Sequence, residues 1–194
     1  VEGGAVVAGN GSIATQGGLT TITQSSDKMV VDWNSFDIAR DQRVDIRQPA
    51  ATSAVLNRVT GARPTEILGS LNANGRVFVV NPNGVLFGRT AKVDVGGLVA
   101  STLDTSPREF MEGGRLYKGL SAPQGQGARY VMLEGGGNGP VRNEGRINAR
   151  ESVVLAGPHV VNQGTIRARD VVLQAGGGVG VKLDGTGTLG VCSG

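Results

Sequence analysis

A short repeat near the end of the chain limits its fold more than any other feature. Asn143-Glu144-Gly145-Arg146-Ile147-Asn148-Ala149-Arg150-Glu151 is matched by Asn162-Gln163-Gly164-Thr165-Ile166-Arg167-Ala168-Arg169-Asp170 at an offset of 19 (162 − 143), and Val153-Val154-Leu155 by Val171-Val172-Leu173 at 18 (171 − 153). Self-similarity at this period is the mark of a solenoid, each repeat being one coil. Within each copy Ile and Ala alternate with polar residues, so a short strand turns one face inward and the other to solvent. Such a repeat is too short for two strands and a full crossover helix, but it suffices for three short strands joined by tight corners. Coils stacked roughly 4.8 Å apart make continuous parallel sheets around an apolar column. The expected fold is all-β, a right-handed parallel β-helix by the crossover rule. A length of 194 residues at this period, allowing for the opening segment and one excursion, then suggests about eight to ten coils. Asparagine and glycine are expected at corners that need φ > 0, with Asn143 stacked on Asn162.

Composition agrees where it can discriminate. Glycine, 33 of 194 residues, is about twice its usual share, without a Gly-X-Y period and with 39% apolar residues, which excludes collagen and disorder. Aromatics at 4% suit a narrow core of Val, Ile, Leu and Ala. The net charge of +3 is spread along the chain with no basic tract interleaved with aromatics, which argues against nucleic acid as a partner. No window reaches the 18 or so apolar residues of a membrane helix, and no basic-then-apolar leader opens the sequence. The single cysteine, Cys192, forms neither an internal disulfide nor a metal site and reads as an incidental thiol.

In chain order, Val1 to Asp27 carries short alternations broken by Gly9-Asn10-Gly11 and Gly17-Gly18, which imply strands of three to five residues with turns between them. Trp33 and Phe36 suit an end-plug, with a carbohydrate-stacking platform as the alternative reading. Ser106-Pro107-Arg108-Glu109 is a capping box and predicts one short helix near 107–112. From Arg115 to Arg129 a Gly-, Gln- and Pro-rich stretch predicts an excursion, a hairpin with strands near Leu116-Tyr117 and Tyr130-Val131. Strand patterning persists past Gly176-Gly177-Gly178 through Val179-Gly180-Val181-Lys182-Leu183, with no closing cap, so the natural chain is expected to continue beyond Gly194.

The candidate site is Asn81-Pro82-Asn83-Gly84, a tight β-turn between the apolar runs Val77–Val80 and Val85–Phe87. Asn74-Gly75 closes the preceding strand, and together with Asn57 and Arg58 it is a candidate supporting motif. The segments DWNSF from Asp32, QPAATSAVLNRVTG from Gln48, ILGSLNANGRVFVVNPNGVLFG from Ile67 and VGGLVASTLD from Val95 occur in the order found in filamentous-haemagglutinin-like exoproteins. The chain resembles their N-terminal two-partner secretion (TPS) domain, closely over the first half and in general character thereafter. Some members carry an upstream Asn-Pro-Asn-Leu motif; here that region reads Val55-Leu56-Asn57-Arg58, so no role of that motif transfers.

The resemblance implies one domain over 1–194: a cap and first strands over 1–40, motif-bearing coils over 41–105, the short helix and excursion over 106–131, and repeating coils over 132–194. It implies a fragment of a much larger exoprotein, secreted to the surface of a Gram-negative bacterium by way of the periplasm. The implied partner is an outer-membrane β-barrel transporter with periplasmic POTRA domains; the domain itself is expected to be monomeric, while the full-length protein is a candidate for host-surface contact. Asn81, Pro82, Asn83 and Gly84 are either read by that transporter or hold the turn, and the second role is favoured because buried Asn side chains satisfy corner backbone groups.

Two other functions remain. An adhesive or glycan-binding module would use the excursion near Arg115-Tyr130 or a strand face. A polysaccharide-cleaving enzyme would use Glu151 and Asp170, one coil apart and so roughly 5 Å from each other, like a retaining glycosidase pair. The plainer reading of those carboxylates, with Arg150 and Arg169 beside them, is a solvated ladder of mixed charge on an outer face. His159 has no nucleophile beside it, and no spaced cluster of ligands calls for a metal or other cofactor. The expectation is a protein that is not an enzyme.

Overall fold

Alternating residues in short strands leave each strand with one apolar face, and the coil closes those faces on one another. The computed structural model describes residues 1–117, 128–183 and 189–193. The chain enters with β1 (Ala5–Ala8) and β2 (Gly11–Gln16). A first coil holds β3 (Leu19–Gln24) and β4 (Lys28–Trp33), and a second β5 (Arg43–Arg47) and β6 (Ala54–Val59). The third has β7 (Thr65–Ile67), β8 (Ser70–Ala73) and β9 (Arg76–Val80); the fourth has β10 (Val85–Phe87), β11 (Lys92–Val95) and β12 (Gly97–Ser101). Helix α1 (Pro107–Met111) and strands β13 (Arg115–Tyr117) and β14 (Ala128–Glu134) then leave the coil. The fifth coil returns with β15 (Pro140–Asn143), β16 (Arg146–Ala149) and β17 (Ser152–Gly157), and the sixth is β18 (His159–Asn162), β19 (Thr165–Arg167) and β20 (Asp170–Ala175). Last come β21 (Gly178–Leu183) and β22 (Leu189–Ser193).

Three sheets run along the stack: β4-β6-β9-β12-β17-β20, β7-β10-β15-β18 and β3-β5-β8-β11-β16-β19, all parallel. Register keeps like on like. Val44, Leu71, Val93 and Ile147 form one inward column, with half-buried Ile166 packed at its end, and Val55, Val77, Leu98 and Val153 another, inside a single buried cluster. At the first coil β1 and β2 pair antiparallel with β4 and β3, so the parallel ladder starts from a blunted edge. Trp33 packs edge-to-face on Phe36, centroids 5.4 Å apart, and is only 2% exposed; the end-plug is correct and a stacking platform is not.

The first sheet is buried on both faces. Leu56, Phe78, Val99 and Val154 point out of the coil, where Phe110 of α1, Val131 and Leu133 of β14, and Val179 and Val181 of β21 cover them as a second core. Parallel strands covered on both sides read as unbroken apolar runs, as Val77 to Val80 of β9 and Val153 to Ala156 of β17 do. Ser106 caps α1, its hydroxyl accepting from the Glu109 amide at 3.0 Å, and Phe110 meets Phe78 at 5.2 Å.

Three expectations change. Six coils are built, not eight to ten, because the final strands β21 and β22 lie outside the stack. Early coils are also longer: register partners Met29 and Val55 lie 26 residues apart (55 − 29), against 18 (171 − 153) at Val153 and Val171. Second, the coil repeat expected to run through 132–194 ends at Ala175. β21 instead pairs antiparallel with β14 and β22 with β21, because Val179 and Val181 supply the apolar face that the outside of the first sheet requires. The predicted excursion hairpin does form, β13 pairing antiparallel with β14; its residues 118–127 and the side chain of Cys192 lie outside those described. Third, among the described residues none other than glycine has φ > 0, and Gly88, Gly145 and Gly164 at one corner do not either. A Cβ on Gly145 would sit 2.4 Å from the Gly88 carbonyl oxygen, and one on Gly164 2.2 Å from that of Gly145: the corner needs glycine for close stacking of backbones. Asn143 and Asn162 do stack, Nδ2 donating to Oδ1 at 2.9 Å.

Candidate functional site: the Asn-Pro-Asn-Gly turn

Asn81 to Gly84 turn the corner between β9 and β10. The Gly84 amide donates to the Asn81 carbonyl at 3.1 Å, closing a β-turn around Pro82 and Asn83. Asn83 has negative φ, which excludes type II, and the positive φ falls on Gly84, at +136°. Asn81 is fully buried and its amide is fully used. Oδ1 accepts from the backbone and side-chain nitrogens of Asn83, both at 3.0 Å, while Nδ2 donates to the Arg63 carbonyl at 2.9 Å and Thr65 Oγ1 at 3.0 Å. Asn83, the one exposed member, donates from Nδ2 to the Gly61 carbonyl at 3.0 Å. The side-chain bonds that leave the turn all run to the segment 61–65, the coil before.

The coil after presses on the turn from the other side. Gly139 donates to the Pro82 carbonyl at 3.4 Å, and a Cβ on Gly137 would lie 2.1 Å from that oxygen. Only a chain without side chains there approaches so closely, which accounts for Gly137 and Gly139, while Gly135 and Gly136 take the positive φ values of +67° and +80° that lead into them.

The supporting residues occupy different places. Asn57, fully buried in β6, accepts from Trp33 Nε1 at 3.0 Å and donates to the Phe78 carbonyl at 3.2 Å, linking the plug to the next coil. Arg58 faces outward and grips Asp104 with Nε and Nη2 at 3.1 and 3.3 Å, with Asp32 at 3.8 Å. The hydrogen bond to Asp104 raises its pKa further above the usual guanidinium value, against the effect of burial. Asn74 pairs with Gln48 as a strand would, accepting from its amide at 2.8 Å and donating to its carbonyl at 2.9 Å. Gly75 has no positive φ; a Cβ there would meet the Ser53 carbonyl at 2.7 Å. The eight residues are thus spread over two corners and one sheet, and do not form one constellation.

Sequence reasoning missed a buried polar corner beneath Asn74. Gln24 donates to the carbonyls of Ser26, Asp27 and Ala54, and Gln48 to Gln24 Oε1 and the carbonyls of Ser53 and Arg76. Arg76, 1% exposed, meets Glu151 at 3.3 Å. Glu151 is therefore a buried partner of a buried cation and not a rung of an outer ladder; Asp170 is exposed and in register with Ser152. The two carboxylates are not presented together as a catalytic pair. His159 is exposed at the start of β18. Among the described residues no three His, Cys, Asp or Glu side chains gather as a metal site, and no helix is long and apolar enough to cross a membrane.

Coils fastened to one another through a backbone-directed turn, with an antiparallel flap over one sheet, define the class: a capped β-solenoid segment. The TPS secretion domain family matches residues 2–190, and the chain belongs to that family of secretion domains of large exoproteins. The HMW1 secretion domain from Haemophilus influenzae superposes with a TM-score of 0.79 at 27% identity, over 99% of this chain and 48% of that one. A heme/hemopexin-binding protein of Haemophilus influenzae (strain ATCC 51907 / DSM 11121 / KW20 / Rd) is 37% identical over 169 residues, which cover 85% of this chain and 18% of that protein. A second Haemophilus influenzae heme/hemopexin-binding protein is 45% identical over 84 residues, 43% of this chain and 9% of that protein. The chain thus spans under a fifth of these relatives. The family implies an exoprotein exported by Gram-negative bacteria and a partner transporter in the outer membrane, and it is not an enzyme family.

Proposed function

We propose that this domain is the export address of its exoprotein and the nucleus on which the rest of the solenoid folds. The observation that carries the reading is the double anchoring of the Asn-Pro-Asn-Gly turn, bonded to segment 61–65 on one side and to Gly139 on the other. A coil held this way is a finished template, and its edge offers a full ladder of backbone groups to the coil that follows. In the periplasm the chain is unfolded, and its extended apolar strands are recognised by the POTRA domains of an outer-membrane β-barrel transporter through strand addition. At the cell surface the cap and first coils form, later coils add in sequence, and folding without reversal favours outward movement.

On this reading Asn81, Pro82, Asn83 and Gly84 act by holding the corner, not by being read. The Asn81 side chain supports this, since both its oxygen and its nitrogen are bonded within the fold. Asn83→Ala and Asn81→Ala, assayed for secretion and for melting temperature, separate the roles. Secretion falling in step with stability is the expected result. Loss of secretion by Asn83→Ala at unchanged stability would mean that the transporter reads the turn.

A further inference from the structure

The corner between β10 and β11 carries a groove that the turn and the polar corner do not explain. It encloses about 520 Å³ and is lined by four cations, Arg40, Arg89, Lys92 and Arg146, with no carboxylate in its wall. Arg40 comes from the turn before β5, Arg89 from the turn before β11, and Lys92 and Arg146 open β11 and β16. Lys92 and Arg146 are register partners on adjacent strands, so their backbones lie about one rung, roughly 4.8 Å, apart. All four are exposed. Among the described residues none of the four is in an ion pair, whereas Arg43, Arg58, Arg63, Arg76, Arg108, Arg142 and Arg150 all are. Four like charges drawn from the second, fourth and fifth coils repel one another, and no carboxylate in the wall relieves them.

The lining indicates what relieves them. Three guanidinium forks and one ammonium match tetrahedral oxyanions, which accept two bonds from each fork. The wall has no aromatic or large aliphatic side chain, only the buried methyl of Ala91, so it lacks both the anchor of a protein interface and the stacking platform of a single-strand nucleic-acid site. The Thr90 hydroxyl already donates to the Leu68 carbonyl at 2.6 Å, which leaves the cations and Ser70 as the groove's donors. We propose that this groove binds a ligand bearing two or more phosphate or sulfate groups, one held near Lys92 and Arg146 and another between Arg89 and Arg40. The ligand is either a soluble polyanionic saccharide or the phosphorylated headgroup of a lipid.

The test uses the whole 194-residue chain and two probes: sucrose octasulfate by titration calorimetry, and phosphatidylcholine vesicles carrying diphosphoryl lipid A by co-sedimentation. Binding to either, at least about tenfold weaker in Lys92→Gln/Arg146→Gln, is expected, because charge-assisted bonds are lost. The control, Arg167→Gln/Arg169→Gln, removes equal charge from exposed positions outside the groove and is expected to bind within about twofold of the parent. The probe that binds identifies the source. All four replaced side chains are exposed, so melting temperatures are expected to stay at the parent value. Failure to bind both probes, or equal weakening in the control, overturns the proposal.

Discussion

Asn81→Ala tests the idea that the corner turn is a fastening. The substitution removes both donors to Arg63 and Thr65 and the acceptor that serves Asn83, at a site fully closed to water. Each buried group left without a partner costs roughly 1–3 kcal/mol, and allowing for partial relaxation the sum is about 3 kcal/mol. For a domain of this length each kcal/mol lowers the melting temperature by about 2–4 °C, so a fall of about 6–12 °C is expected. Asn83→Ala loses an exposed amide and is expected to cost only about 1 kcal/mol. The assay is thermal unfolding followed together by far-ultraviolet circular dichroism and by the fluorescence of Trp33, the single tryptophan. If Asn81→Ala melted within about 2 °C of the parent, the bonds would not be holding the coil and the argument from buried amides would fail.

Other outcomes follow from the same geometry. Gly137→Ala drives a methyl to 2.1 Å from the Pro82 carbonyl oxygen and should destabilise by about 1–3 kcal/mol, read in urea unfolding; a neutral result would deny the close approach. Asn57→Leu leaves Trp33 Nε1 without an acceptor, and a cost of roughly 1–3 kcal/mol with shifted tryptophan emission is expected; an unchanged spectrum and melting point would contradict the link. The Arg43 hydrogen bond holds the Asp45 carboxyl below its ordinary range. A lowered folded-state pKa means that the unfolded chain binds more protons, so this contribution is present above the ordinary carboxylate value of about 4 and fades as pH falls through the lowered one. Carbon NMR titration of Asp45 should show it ionised below that value, and Arg43→Gln should return it; an ordinary titration in the parent would refute the pairing.

The solenoid was legible because residues 143–176 repeat with almost no insertion, so like residues already stand one coil apart. The count of coils was not, since Met29 and Val55 pair across a longer interval and the strand patterning that persists through Val179–Leu183 belongs to β21, outside the stack. The flap of β14 and β21 needs a pairing of Val131 with Val181, a contact that no local pattern announces. Its cause was nevertheless written in Val77 to Val80 and Val153 to Ala156, whose unbroken apolar runs demand cover on both faces. Asn-Pro-Asn-Gly gave a turn by its residue types alone, but its partners Gly61 and Arg63 lie 22 and 18 residues away. Glu151 was misplaced for the same reason: its cation is 75 residues distant, and only the fold brings Arg76 to it.

The most direct test of the export assignment is secretion itself. Residues 1–194 are expressed behind a signal peptide in Gram-negative cells with and without the cognate outer-membrane transporter, and medium and periplasm are assayed. The account predicts the domain in the medium only when the transporter is present. Retention in the periplasm of both strains, while the same transporter exports its full-length substrate, would contradict it.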